Sequence, residues 1–127
     1  MPVSRLKRRS EFVGVARSGR RFATPGMVLQ VRKRGTEADP GPVRYGITAS
    51  RKVGKAVVRN RVRRRLKAAA ETILPAHAAG GHDYVLIGRT ATAVRPFAEL
   101  LNDLEIALQR LHAYRGSLSA RTDAVKR

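Results

Sequence analysis

The sequence predicts a single α+β domain, a small sheet packed with helices, in the order α-β-β-α-β-α. Three observations support that fold class. Residues Asp83 to Arg89 (D-Y-V-L-I-G-R) form an apolar run of strand formers, typical of a central strand covered on both faces. Residues 43–49 alternate, with Val43, Tyr45, Ile47 and Ala49 on one face and Arg44, Gly46 and Thr48 on the other. Two later stretches repeat apolar residues at helical spacing instead: Val58, Val62, Leu66, Ala69 and Ile73, then Phe97, Leu101, Leu104, Leu108 and Leu111. A one-sided helix and a half-buried strand each need another element to cover them, which makes a layered domain. At 127 residues and 43% hydrophobic content the chain is long enough for one core and too short for two.

The elements follow in order. Met1 to Arg9 is basic and without a long apolar period, and reads as extended. Ser10 is placed to cap a short helix running to Arg17, with Gly19 beyond it as a terminator; Phe12 and Ala16 then share a face. Met27 to Lys33 (M-V-L-Q-V-R-K) is a strand, followed by loop punctuation at Gly35 and Asp39-Pro40-Gly41-Pro42. With residues 43–49 it reads as an antiparallel pair joined by a polar loop. The long helix follows; Pro75 is expected to end it, with a loop over residues 76–81. After the strand at 83–89, Pro96 suits the first turn of the last helix. The pattern assigns residues 1–116 to the domain and residues 117–127 to a basic, flexible tail, with no internal repeat.

The long helix is the most informative part. Arg51 to Lys67 (R-K-V-G-K-A-V-V-R-N-R-V-R-R-R-L-K) has nine Lys or Arg in seventeen positions and no acid. The apolar stripe shows that it is folded, while Asn60, Arg64 and Lys67 lie opposite that stripe and Arg61 and Arg63 flank it. A solvated helix face normally mixes signs to form i,i+4 pairs, and here only Glu71 is available. The whole chain carries 27 Lys plus Arg against 9 Asp plus Glu, a formal charge of +18. A folded cationic face of this kind fits a polyanion, nucleic acid before membrane, and its arginines suit bidentate phosphate contacts.

Other chemistries find little support. There is no cysteine, so disulfides, thiolate metal sites and cysteine nucleophiles are excluded. No stretch approaches the ~18 consecutive apolar residues of a membrane span, and the Arg-rich start lacks a signal-peptide core. These features point to a soluble, cytoplasmic protein with no membrane partner. Gly54-Lys55 is not a nucleotide loop, because residues 49 and 56 are alanines where that motif needs Gly and Ser or Thr. Gly54 instead relaxes the turn into the helix. His77, His82 and His112 lack the carboxylates of a metal site, and Glu99, Asp103 and Glu105 read as exposed helix residues. No catalytic residue and no protein metal ligand is assigned.

The run Ser50 to Arg64, centred on Arg59-Asn60-Arg61, closely resembles the signature of the bacterial ribonuclease P protein family. Leu6-Lys7 with Ser10-Glu11-Phe12 is similar to that family's start, and Asp83 to Arg89 to its later strand. The resemblance covers roughly residues 4–112. It implies a subunit that binds a catalytic RNA and precursor tRNA while the holoenzyme removes the 5′ leader by hydrolysis. It also implies that the RNA holds the magnesium, that the complex is a 1:1 ribonucleoprotein with a monomeric protein, and that the chain between the second strand and the Asp83 strand makes a left-handed crossover. Pattern alone would favour the right-handed form, found in ~98% of cases.

By that resemblance, Arg51, Lys52, Lys55, Arg59, Asn60, Arg61, Arg63, Arg64 and Lys67 face RNA, and Phe12, Tyr45, Tyr84 and Arg89 line a cleft for the single-stranded leader. Two departures stand out. Ala16 replaces an aromatic frequent in relatives, and Lys55 replaces an Asn. The rivals are a structural or ribosomal RNA-binding protein, a DNA-binding architectural protein and a self-contained nuclease. The first does not account for the Arg-Asn-Arg signature with a strand on either side, the second would show itself by preferring duplex DNA to structured RNA, and the third would need metal-dependent cleavage by the protein alone.

Overall fold

A computed structural model of the protein describes residues 3–34 and 41–111. Its elements run β1 (Val3–Arg5), α1 (Arg9–Ser18), β2 (Arg20–Ala23), β3 (Met27–Lys33), β4 (Val43–Thr48), α2 (Ala56–His77), β5 (His82–Gly88) and α3 (Phe97–Arg110). Short 3-10 turns at Arg51–Val53 and Thr90–Ala93 precede α2 and α3. This is the α+β class read from the sequence, with two short strands added. Residues 117–127, expected to form a tail, lie outside the described residues, as do His112 and most of the loop signal at 35–40.

The five strands lie in the order β1-β4-β5-β3-β2. The antiparallel pairing expected between β3 and β4 does not form. β5 inserts between them, antiparallel to β3 and parallel to β4. The cause lies in β5 itself: Tyr84 and Leu86 are buried on one face and Val85 on the other, so a neighbour on each edge and a cover on each side are required. β1, read only as extended chain, pairs in parallel with β4.

Two layers cover the sheet. On one face α2 and α3 bury Leu29, Val31, Val43, Tyr45, Tyr84 and Leu86 together with Val62, Leu66, Leu104 and Leu108. The smaller cluster on the other face joins α1 to the sheet through Leu6, Val15 and Val85, with Phe12 and Ile87 packed against it. Most of each helical stripe predicted from spacing points inward, as Val62, Leu66, Ala69 and Ile73 on α2 and Leu104, Leu108 and Leu111 after them are buried, whereas Phe97 at the start of α3 is exposed.

Local corrections have physical causes. Pro75 does not end α2, which continues to His77 because Ile73, Leu74 and Ala78 are all buried beneath it. α1 begins at Arg9 rather than being capped by Ser10. Its first turn is fastened by the Glu11 carboxylate, which accepts from the Lys7 and Arg8 backbone N–H groups at 2.8 and 2.9 Å. Asp103 and Glu105 are buried, not exposed. Arg95 neutralises Asp103, donating from Nε at 2.5 Å and from a terminal nitrogen at 3.1 Å. Gly54 has the role expected of it, with φ at +145° in the turn before α2.

Candidate nucleic-acid interface

The outer face of α2 is built by its inner one. With Val62, Leu66, Ala69 and Ile73 fixed in the core, Asn60, Arg64 and Lys67 stand on the far side and are exposed. Arg51, Lys52 and Lys55 extend the surface across the preceding turn, and Arg59, Arg61 and Arg63 continue it along the helix. Among the described residues none of these cations is in an ion pair; Asp83, Glu11, Asp103 and Glu99 all pair elsewhere. Glu71, the one acid on α2, accepts instead from the Tyr45 hydroxyl at 3.0 Å.

The arginines divide by task. Arg61 donates from Nε to the Ala93 carbonyl at 2.8 Å, and Arg65 donates to the carbonyls of Thr92 and Arg95. These two fasten the 3-10 turn before α3 to α2. Arg61, predicted to face RNA, thus spends one donor inside the protein. Arg63 donates to the Asn60 side-chain oxygen at 3.1 Å, which orders the centre of the signature. Arg59, Arg64 and Lys67 keep their heads free among the described residues.

On the opposite face of the sheet a groove of about 350 Å³ opens beside α1. Arg9, Phe12, Val13 and Ala16 of α1 form its wall, and Gln30, Thr48, Val85 and Ile87 of the sheet form its floor. The Phe12 ring lies directly on Gly46, where a Cβ would collide with it. Any larger residue at 46 would push the ring out of the groove.

Of the four residues expected in this cleft, only Phe12 is there. Tyr45 and Tyr84 are cross-strand neighbours on the other face, 1% and 0% exposed beneath α2. Burial, with the hydrogen bond to Glu71, pushes the Tyr45 phenol up from its ordinary value. The Tyr84 hydroxyl is engaged with the backbone of Ala79. Alternation explains both placements, since Val43, Tyr45 and Ile47 share one face and the register carries Tyr84 with them. Arg89 also leaves the cleft: it donates to the Thr24 carbonyl at 2.8 Å and lines a second hollow with Ser50, Lys52 and Thr90, at the root of α2.

A charged network missed in the sequence underlies α1. Asp83 is fully buried and takes hydrogen bonds from Arg32 (3.1 Å), Arg34 (2.6 Å) and Arg44 (2.9 and 2.8 Å). Arg44 also reaches Glu11 of α1 at 2.6 Å, tying the helix to the sheet. Burial alone would raise the Asp83 carboxyl, but the hydrogen bonds from Arg44, Arg32 and Arg34 outweigh it and hold the group down at about 2. The signal in the sequence was a lone acid opening an apolar strand, with arginines at alternate positions 32, 34 and 44.

Among the described residues no three His, Asp or Glu side chains gather to hold a metal ion. No helix of the described residues is long and apolar enough to cross a membrane.

The family model described as Ribonuclease P matches residues 2–112. The ribonuclease P protein component of Ruegeria pomeroyi is 50% identical over 112 residues, 87% of this chain and 88% of that protein. Its counterpart from Paramagnetospirillum magneticum is 47% identical over 112 residues, 87% of this chain and 84% of that protein. In structure, the chain is similar to the RNase P protein from Thermotoga maritima, with a TM-score of 0.68 and 26% identity over 89% of this chain and 99% of that one.

Proposed function

The chain belongs to the ribonuclease P protein family, which ties it to tRNA 5′ processing and to an RNA partner, and from that premise we propose that it binds the catalytic RNA through α2 and the 5′ leader of precursor tRNA through the α1 groove. The observation that supports this most directly is the outer face of α2, a folded array of cations without acidic partners. Arg59, Arg63, Arg64 and Lys67 meet phosphates there, with Lys52 and Lys55 at the approach to the helix. The groove is mostly apolar, about 350 Å³ in volume and walled by an aromatic ring, which suits an unpaired base more than a duplex.

In this reading the protein contributes binding and no catalytic side chain. Its buried carboxylates Asp83 and Asp103 are neutralised by arginine, so they make a poor cage for a divalent cation. Magnesium, which activates the attacking water and stabilises the leaving oxygen in such hydrolysis, is assigned to the RNA. The reading also makes the protein a cytoplasmic monomer in a 1:1 ribonucleoprotein.

The test is cleavage of precursor tRNA by ribonuclease P RNA at low magnesium, with and without the protein. Stimulated release of the leader at the mature 5′ end, with none from protein alone, is the expected result. Tight RNA binding without stimulation would instead make this a structural RNA-binding protein.

A further inference from the structure

Val57 and Val94 are the two most exposed large apolar side chains among the described residues, at 81% and 79%. A lone exposed valine is ordinary on a protein surface. These two are not alone, because the fold brings them to one place, and that place lies among cations.

Helix geometry sets Val57 on the cationic face. Val57, Asn60, Arg61 and Arg64 are spaced i, i+3, i+4 and i+7 along α2, so they share one stripe. Val94 joins them through the two arginines that turn toward the protein. Side chains on a helix slant toward its N-terminus. Arg61, which donates from Nε to the Ala93 carbonyl at 2.8 Å, therefore holds that carbonyl alongside the turn carrying Val57, and Val94 is the next residue. Arg65 donates to the carbonyls of Thr92 and Arg95, so the backbone is fastened on both sides of Val94. The Val94 N–H adds a bond to the Ala91 carbonyl at 3.1 Å, and Arg95 is anchored on Asp103. The two valines are thus presented from rigid elements as an apolar shelf, with exposed Lys55 before it and exposed Arg64 beyond it.

We propose that this shelf seats the flat face of one unpaired nucleobase of the catalytic RNA, with Lys55 and Arg64 holding the phosphates on either side of that nucleotide. The proposal rests on the reading of α2 as the RNA-binding helix and adds an apolar base contact to its phosphate contacts. The surrounding charge selects the occupant. An apolar protein surface would cover the valines and leave the cations without counter-charge, whereas a nucleotide satisfies both. A duplex hides its base faces in the stack, so the base must be unpaired. The shelf also gives a reason for Arg61 and Arg65 to spend donors on backbone carbonyls within an otherwise outward-facing cationic helix: they fix Val94 beside Val57.

The experiment measures binding of the full chain to ribonuclease P RNA over a range of salt concentrations. An apolar contact releases no counterions, so its loss displaces the line of log Kd against log salt without tilting it. Val57→Ser and Val94→Ser should each weaken binding by about three- to tenfold at every salt concentration, with the wild-type slope and an unchanged circular dichroism spectrum. Val57→Ile keeps the apolar surface and should keep wild-type affinity. Acylation of ribose 2′-hydroxyls gives a second readout: one unpaired nucleotide should be quietened by wild type and regain its reactivity with the Val57→Ser, Val94→Ser double variant. Unchanged affinity in the double variant overturns the proposal, as does a loss that tilts the salt line like a lost phosphate contact. Self-association of the wild-type chain that the double variant abolishes, at unchanged RNA affinity, assigns the shelf to a second copy and equally overturns it. Arg64→Ala separates this from failure of the underlying reading: a slope lowered by about 1 keeps α2 as the RNA-binding helix even where the valines are silent, whereas no change removes both.

Discussion

The buried carboxylate of Asp83 makes a quantitative prediction about acid stability. Three arginines, each about a quarter exposed, converge on a side chain that is 0% exposed. Its carboxyl lies at about 2 in the folded protein against 3.8 ordinarily. A carboxyl depressed by folding takes up its proton more readily in the unfolded chain. It therefore contributes stability above pH 3.8 and loses it as pH falls toward 2. The full gap corresponds to about 2–3 kcal/mol, of which roughly two-thirds is lost by pH 2.5. Urea unfolding followed by circular dichroism at steps from pH 6 to pH 2.5 measures this, with Asp83→Asn as the comparison. The variant should be less stable at pH 6 by about 3–5 kcal/mol, because three partly buried guanidinium groups lose their counter-charge. Its stability should then fall less steeply below pH 4 than that of wild type. The difference in slope is the diagnostic quantity, since the remaining carboxylates titrate in both proteins. Parallel profiles would show that ionised Asp83 does not stabilise the fold and would refute the argument.

Arg64→Ala should weaken binding to ribonuclease P RNA and reduce the salt slope by about 1, as expected for one lost phosphate contact, while thermal stability holds or rises slightly as two like-charge pairs are relieved. Arg65→Met should do the reverse. It leaves the carbonyls of Thr92 and Arg95 without their donor, costs about 1–3 kcal/mol in urea unfolding, and keeps the salt slope near that of wild type. Gly46→Ala places a methyl group in the Phe12 ring and should lower affinity for precursor tRNA while sparing mature tRNA, as read by equilibrium binding of the two.

What could be read from the sequence was whatever burial imposes on a long stretch of chain. The α2 stripe and the two-sided β5 run were legible because each commits many residues to one environment. β1 and β2 were not: they are three and four residues long, sit at the sheet edges and are rich in arginine, so they have no measurable period. The pairing of β3 with β4 failed because proximity in sequence favours a hairpin, while the need of β5 for two neighbours appears only in three dimensions. Within the site, the placement of Tyr45 and Tyr84 in the cleft was at odds with the alternation of residues 43–49, which already put Tyr45 with Val43 and Ile47. The same alternation put Gly46 and Thr48 opposite, where Phe12 and the groove now are. Gln30 could have been found by the same rule, as the polar residue within the apolar run Met27 to Val31 of its strand.

A helix with so many like charges raises the question of what keeps it formed. On α2, Arg59 with Arg63, Arg61 with Arg65, and Arg63 with Lys67 stand at i,i+4, while Arg61 with Arg64 and Arg64 with Lys67 stand at i,i+3. Each such pair costs about 0.2–0.5 kcal/mol, so the outer face is destabilised by roughly 1–2.5 kcal/mol in all. Against this, Val62, Leu66, Ile73 and Leu74 are buried, each worth about 1.5–3 kcal/mol. Burial exceeds repulsion several-fold, and Arg61 and Arg65 further reduce the cost by turning toward backbone carbonyls. The core therefore holds the cationic face in register while its repulsion is still unrelieved. In the proposed reading, phosphates arriving at Arg59, Arg64 and Lys67 would both gain contacts and remove that repulsion, which would make the acid-free face and the apolar stripe one device rather than two.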